Sequence, residues 1–471
     1  LGHILCLKNN FSSSHTVTQT TNPRVCIIGA GIAGLTSAKY LKEEGIKFVV
    51  LESTRYVGGT WRYDPRVGYD ENGLPLHTSM YMHLRTNLPK PAMELRGFPL
   101  PEDIPSFPSW KIFYNYIKDY TRHFDLEKHI KFLHNVVLVS RVNNIWKVKY
   151  QNVLTGEEFE EEFDFVIVGT GHFSKPNMPN IPGEDKFKGS IIHSHDYREP
   201  VRYKGRRVLV VGAGPSGMDI AIDVAYVAKT LVHSHHSKIN FHTVFPKHYI
   251  RKPDVKEFNE TGAIFNDGSY EDLDDVIYCT GFEYYYPFLD ESCGLNLNPR
   301  SVTPLYKYMV NIYQPTMMVM GLVIRACLVV ALDAQSRYAT ALIKGNFTLP
   351  TKEEMLEEWQ KRADVIISRG RPISDIHFLA EKEVSKLKKN SNIKRHNVCF
   401  DVFSLLCKKF IRNLYDHQLE STFLKLMIIK NCVICMYNMY VLKNIMCLNN
   451  LVYRRITSHT NTLNRRLAKN I

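Results

Sequence analysis

The chain has no long apolar run. Its best window, Asn431 to Leu442 (NCVICMYNMYVL) between Lys430 and Lys443, holds about 12 residues, well short of the roughly 20 that a helix needs to cross a bilayer. A spanning segment is therefore not expected, and surface attachment of a basic region is the only membrane association left open. Cysteine is absent where redox chemistry would need it: none occurs between Cys26 and Cys279, which excludes the close-set pair that thiol–disulfide exchange requires. Cys432 and Cys435 have half the spacing of a zinc knuckle but no second pair, and no metal-ligand spacing or nucleophile motif occurs in the body of the chain.

Net charge is also missing from most of the sequence. The formal charge is +13, yet residues 386–471 carry 16 Lys and Arg against 3 Asp and Glu, while residues 1–385 hold 44 of each sign. A neutral body argues against nucleic acid as its partner. The same stretch contains neither Gly nor Pro, although the chain has 26 and 22 of them, and it carries five of the ten Cys. Without turn chemistry it reads as an anomalous basic tail, closer to translated AT-rich non-coding sequence than to a domain whose local signals agree with one fold. The chain starts at Leu1, so an incomplete N-terminus is expected and no targeting segment is inferred.

What the sequence does have is two glycine turns in full context. In RVCIIGAGIAGLTSAKYLKEEGIKFVVLE, residues 24–52, a short apolar strand (Val25 to Ile28) enters the turn Gly29-Ala30-Gly31-Ile32-Ala33-Gly34. A helix to about Glu44 is stopped by Gly45, and a second strand, Lys47 to Leu51, is followed at once by Glu52. The first glycine permits the tight turn, the second lets backbone approach a pyrophosphate, the third lets helix and strand pack closely, and Glu52 is placed for unphosphorylated ribose hydroxyls. The second copy starts at Arg206. Gly212, Gly214 and Gly217 follow the strand Val208 to Val211, and Pro215 and Ser216 open the helix, a first-turn position that suits proline. The next strand, around Thr230 to His233, ends in Ser234-His235-His236-Ser237-Lys238 with no acid. That is the ribose end a 2′-phosphate requires, so the pair predicts one FAD-type and one NADPH-type site. With thiol chemistry excluded, dioxygen is the plausible electron acceptor.

Around these turns the chain resembles the flavin-containing monooxygenase family, of the N,N-dimethylaniline monooxygenase type. FKGSIIHSHDY carries the F-x-G-x-x-x-H-x-x-x-Y pattern at Phe187, Gly189, His193 and Tyr197. Gly58-Gly59-Thr60-Trp61, Leu84-Arg-Thr-Asn87-Leu-Pro-Lys90, Gly169-Thr170-Gly171-His172 and Tyr278-Cys-Thr280-Gly281-Phe282 stand in the expected order. The resemblance covers about Val25 to Leu379, and the short segment after Lys238 resembles the insect branch. It implies an α/β fold of two Rossmann-like dinucleotide-binding domains, the NADP domain inserted into the FAD domain. The expected boundaries are an FAD part at 23–172, the NADP insert at 173–282, and a second FAD part on the substrate side at 283–385.

The resemblance further implies the chemistry. NADPH reduces FAD, the reduced flavin takes up dioxygen as a C4a-hydroperoxide, and a nucleophilic amine nitrogen or sulfide of a small molecule receives the distal oxygen. It implies cofactor contacts from Gly59, Thr60, Trp61, Thr170, Gly171, Thr280, Gly281 and His193, and from His235, His236 and Lys238 at the 2′-phosphate. Asn87 is the residue it points to for catalysis, since a neutral amide can donate and accept without titrating; a plain turn before Pro89 is the other reading. His193 is expected to be a hydrogen-bonded structural residue with no proton-transfer role, and His195 to lie at the surface or outside direct contact. Baeyer–Villiger and N-hydroxylating flavin enzymes, the former with Trp where Tyr197 stands, remain alternatives, as does a non-catalytic flavoprotein. Cys26 and Cys279, in expected strands, suggest reduced packing residues and a cytoplasmic or reticulum-associated protein; secretion stays open.

Overall fold

Arg24–Ile28 (RVCII) is apolar at every position after the first, and such a strand belongs where both faces are covered. As β1 it lies between two parallel neighbours, β2 (Lys47–Glu52) and β3 (Phe165–Val168), with Cys26 level with Val49 on one side and Val166 on the other. The computed structural model describes residues 22–237, 245–324 and 326–378. The basic tail, the Asn431–Leu442 window, Lys238 and residues 379–385 lie outside the described residues. Among the described residues no helix is long and apolar enough to cross a membrane.

β1, β2 and β3 belong to a seven-stranded sheet completed by Ile130–Phe132 beyond β2 and by Met317–Val319, Val310–Asn311 and Leu305–Tyr306 beyond β3. The sheet is thus built from two separated stretches of chain. On one face α1 (Ile32–Glu43) packs with a later helix, Leu328–Ile343, over Val25, Ile27 and Ile167. Small hydroxyl residues let these two helices approach: Ser336 Oγ donates to Thr36 Oγ1 (2.9 Å) and lies 3.2 Å from Ser37 Oγ. The other face is covered by Trp146, Val148 and Tyr150 of the antiparallel strand Ile145–Asn152.

A second sheet is made wholly of residues between those stretches. Its five parallel strands run in the order Tyr249–Lys252, Thr230–Ser234, Arg207–Val211, Asp275–Tyr278, Ser190–His193, labelled in chain order β4 (Ser190–His193), β5 (Arg207–Val211), β6 (Thr230–Ser234), β7 (Tyr249–Lys252) and β8 (Asp275–Tyr278). The helix α2 (Pro215–Ala225) links β5 to β6. The chain enters and leaves this unit side by side, because Lys175–Pro176 pairs antiparallel with Phe282–Glu283. Asn177 stitches the two passages together: its Nδ2 donates to the Thr280 carbonyl (3.0 Å) and its own carbonyl accepts from Thr280 Oγ1 (2.6 Å).

The expected elements recur with small shifts. Glu52 closes its strand rather than following it, and Cys279 falls one residue beyond β8, where its N–H bonds Val211 O (2.8 Å). Cys26, Cys279 and Cys293 are buried thiols outside any disulfide. Burial pushes the Cys279 thiol up to about 12, which leaves it inert at neutral pH.

Candidate nucleotide sites and the cleft between them

The first turn is shaped by its glycines in three distinct ways. Gly29 has φ +96 and donates to Leu51 O (2.8 Å), a conformation other residues adopt only with strain. At Gly31 an added Cβ would find Gly59 Cα at 3.7 Å and Gly169 O at 3.9 Å, so the space above it is open. At Gly34 an added Cβ would overlap the Gly29 carbonyl oxygen. α1 begins at Gly31 with no side-chain cap, which leaves first-turn N–H groups for an anion. Ala30, Ile32 and Ala33 line the same turn and are buried. Close by, Gly59 stands over Gly31, Trp61 packs its ring on Phe113 (4.4 Å), and the Thr60 hydroxyl is enclosed with no hydrogen-bond partner. An orphaned buried hydroxyl beside an uncapped helix start fits a polar ligand that contributes its own acceptors.

Glu52 sits at the far end of β2 with 8% of its surface exposed. Oε2 accepts from Ala30 N (2.7 Å), and Oε1 accepts from Thr54 N (2.9 Å) and Thr54 Oγ1 (2.8 Å). Burial raises its pKa, against the lowering effect of these bonds. One acceptor position on Oε2 is left for a ribose hydroxyl, while the others brace the turn. Glu52→Gln turns one acceptor into a donor facing donors. It is expected to cost about 2 kcal/mol in chemical denaturation and to release flavin on gel filtration where the parent protein retains it.

The second turn repeats the geometry. Gly212 has φ +105, an added Cβ at Gly217 would overlap Gly212 O, and at Gly214 it would meet nothing within 4 Å. α2 starts at Gly214 with Pro215 in its first turn, followed by Ser216, and again has no side-chain cap. The turn is supported from below by buried His233, whose Nε2 donates to Gly212 O (2.8 Å). At the ribose end His235 is buried and His236 exposed. Here the sequence misses two residues. Asp254 lies 3.1 Å from His236 Nδ1, so an acid does reach this end, and Arg251, on the neighbouring strand β7, places its guanidinium on the Ser237 carbonyl (2.5 Å). Both arrive through the β6–β7 pairing, which no local spacing announces.

The carboxyl ends of the two sheets face one another. Thr170 and Gly171 follow β3, Thr280 and Gly281 follow β8, and the Tyr286 hydroxyl donates to Gly171 O (3.3 Å). Around this junction stand four imidazoles. His77 Nε2 lies 3.8 Å from where a Gly171 side chain would begin; His172 packs on Phe173 (4.1 Å) and Tyr284 (5.3 Å); His193 sets its ring edge-on to Phe282 (5.1 Å). His193 Nδ1 accepts from His195 N (3.1 Å), a structural bond of the kind expected. Of the two places expected for His195 the surface one is excluded: it is 6% exposed, with Nδ1 2.8 Å from Asp196. Burial holds His77, His172 and His193 at about 4, so these three imidazoles are uncharged at neutral pH. Asn87 is exposed in the bend that precedes the short helix Lys90–Met93 capped by Pro89. Among the described residues no cluster of three or more His, Cys, Asp or Glu could hold a metal.

Two dinucleotide cradles that open toward a single junction lined by buried imidazoles belong to a pyridine-nucleotide-dependent flavoprotein oxidoreductase. The family can be given: flavin-binding monooxygenase-like proteins match residues 22–241 and 242–387, and the chain belongs to that family, with FAD and NADPH as its cofactors. The chain is 42% identical to senecionine N-oxygenase of Tyria jacobaeae, over 75% of this chain and 78% of that one. It is 34% identical to flavin-containing monooxygenase FMO GS-OX1 of Arabidopsis thaliana, over 77% and 83%. Among solved structures, S-allyl-L-cysteine S-oxygenase from Allium sativum superposes with a TM-score of 0.73 at 27% identity, covering 85% of this chain and 95% of that one.

Proposed function

We propose that the protein uses NADPH and dioxygen to oxygenate a nucleophilic nitrogen or sulfur in a small molecule. The observation that carries this is the meeting of two glycine cradles at a junction lined by neutral imidazoles and holding no thiol pair. Bound FAD supplies the redox and oxygen chemistry, and NADPH supplies the hydride. The chain's own residues hold and shield. Gly29 to Gly34 and the first turn of α1 take the FAD pyrophosphate, with Glu52 at the ribose and Thr60 beside it. Gly212 to Gly217 and α2 take the NADPH pyrophosphate, with His235, His236 and Arg251 toward the 2′-phosphate. Thr170, Gly171, Thr280 and Gly281 bring backbone close to the reactive ends, and Trp61 closes the flavin side. Asn87 contributes an amide that does not titrate, and neutral His77, His172 and His193 keep a dry junction without an acidic proton donor. The names of the relatives support the choice of atoms: one is an N-oxygenase and one an S-oxygenase.

The purified protein is expected to be yellow, to consume oxygen with NADPH at a KM at least tenfold below that for NADH, and to do so faster with a tertiary amine or thioether. NADPH oxidation that ignores both substrates and ends only in hydrogen peroxide would overturn the assignment; turnover with a cyclic ketone alone would move it to lactone formation.

A further inference from the structure

Asn87 ends a strap, residues 78–87, whose inner side chains Met80, Tyr81 and Thr86 are buried, while Met82 is 44% exposed and His83 points outward. Its backbone is tied at Met82 N to Arg198 O (2.7 Å), and its Met82 carbonyl receives Trp110 Nε1 (3.0 Å). Its side chains reach α2, the helix that starts on the second cradle. Tyr81 Oη donates to Asp219 (3.0 Å). One helical turn on, Asp223 receives two groups at once: Tyr197 Oη donates to Oδ2 (2.6 Å), and His83 Nδ1 lies 2.7 Å from Oδ1. Tyr197, the last residue of the F-x-G-x-x-x-H-x-x-x-Y pattern, also packs edge-on against Tyr81 (5.6 Å).

We propose that Asp223 is a positioning residue that couples the two cradles: by holding Tyr197 on one oxygen and His83 on the other, it sets the register of α2 against the strap that carries Asn87. Only a carboxylate offers two acceptor oxygens at this spacing. α2 is a rigid rod, and Asp223 stands about 13 Å along it from Gly214, so a tilt at Asp223 moves the nucleotide end. His83 is held above its ordinary pKa first by the bond to Asp223; Glu199, from the linker after Tyr197, adds to the effect.

The catalytic consequence rests on reading the turns as FAD and NADPH sites, whereas the coupling itself does not, and two readouts separate them. In nucleotide-depleted protein, hydrogen exchange of peptides spanning 78–90 and 215–225 should speed up at least fivefold together in Asp223→Asn, while the peptide of residues 24–43 stays unchanged. In FAD-loaded protein under anaerobic stopped flow, the limiting rate of flavin reduction by NADPH should fall at least tenfold, with the NADPH Kd altered less than threefold. Exchange unchanged in the strap, or a reduction rate within twofold of the parent, overturns the proposal even if the melting temperature drops. If the parent's flavin is not reduced by NADPH, the functional reading fails and exchange alone decides the coupling. If Asp223→Asn does not fold, His83→Gln replaces it: its site is 56% exposed, and about a threefold rise in exchange of both peptides is expected, with no rise counting against the idea.

Discussion

Gly214→Ala is expected to fold as well as the parent protein and to bind NADP ten- to a hundredfold more weakly, whereas Gly217→Ala, three residues on, should prevent the second unit from folding. At Gly214 the backbone has φ −70, which any residue adopts, and an added Cβ meets no protein atom within 4 Å. The change in stability should stay within about 1 kcal/mol, because loss of glycine's unfolded-state freedom offsets a slightly poorer helix start. The methyl group instead fills space that a diphosphate would occupy. Losing one close charge-assisted bond costs about 1.5–3 kcal/mol, which is the tenfold to hundredfold quoted. At Gly217 the methyl group would overlap the Gly212 carbonyl and crowd Cys279 Cβ at 3.4 Å, and a backbone clash in a fully packed turn exceeds about 4 kcal/mol. Denaturant unfolding paired with calorimetric titration of 2′,5′-ADP separates the two cases. Parent-like affinity in Gly214→Ala would show that this turn is not where the nucleotide sits. The equivalent pair in the first cradle, Gly31→Ala and Gly34→Ala, should divide in the same way, read by retained flavin.

Acidification from pH 6.5 to 4 is expected to remove most of the stability of the nucleotide-free protein. His77, His172, His193 and His233 are held at about 4 and His377 at about 3, each chiefly by burial. Their folded pKa values lie below the unfolded value near 6.5, so the unfolded chain binds more protons across this window. Stability is therefore complete above about pH 6.5 and falls as pH drops toward 4. One such group fully expressed corresponds to about 3 kcal/mol. His77 also disfavours the charging of His172, and His172 that of His377, so these groups do not titrate independently. Two of these groups already match the net stability of an ordinary domain, about 5–15 kcal/mol. Between pH 7 and 5 carboxylates add little to the effect: Asp64, beside Arg66, is held at about 2, and its ordinary value of 3.8 also lies below that interval, so its share is lost only under more acid conditions. Urea unfolding at pH 7, 6 and 5 should show falling midpoints, and the linkage slope should report uptake of more than one proton. A curve flat from pH 7 to 5 would mean that the imidazoles are solvated in the folded protein.

Both cradles were legible in the sequence because everything that specifies them is local. Three glycines fall within six residues, an apolar strand precedes them, and Glu52 or its absence marks the ribose end. The tertiary partners were not legible. Arg251 reaches Ser237 and Asp254 reaches His236 through a parallel strand pairing, and a parallel crossover leaves no fixed spacing between partners. His77 reaches Gly171 across nearly a hundred positions, and nothing in its neighbourhood distinguishes it from a loop residue. The burial of His195 was not legible because the motif constrains only His193, while burial of its neighbour depends on how β4 lies against β8. Asp223 reads in sequence as an ordinary polar residue of α2, and its two partners come from segments 26 and 140 positions away.

The antiparallel pairing of Lys175–Pro176 with Phe282–Glu283, stitched by Asn177, works as a pin rather than a tether. Two chains bonded to each other resist sliding and stretching but can twist about their common line. Rocking of the inserted unit about that line would sweep its outer strand, Tyr249–Lys252, through a wide arc while Gly171 and Gly281, next to the axis, hardly change their separation. The protein could in this way open its rim to exchange a spent nucleotide without taking apart the place where the two reactive ends meet.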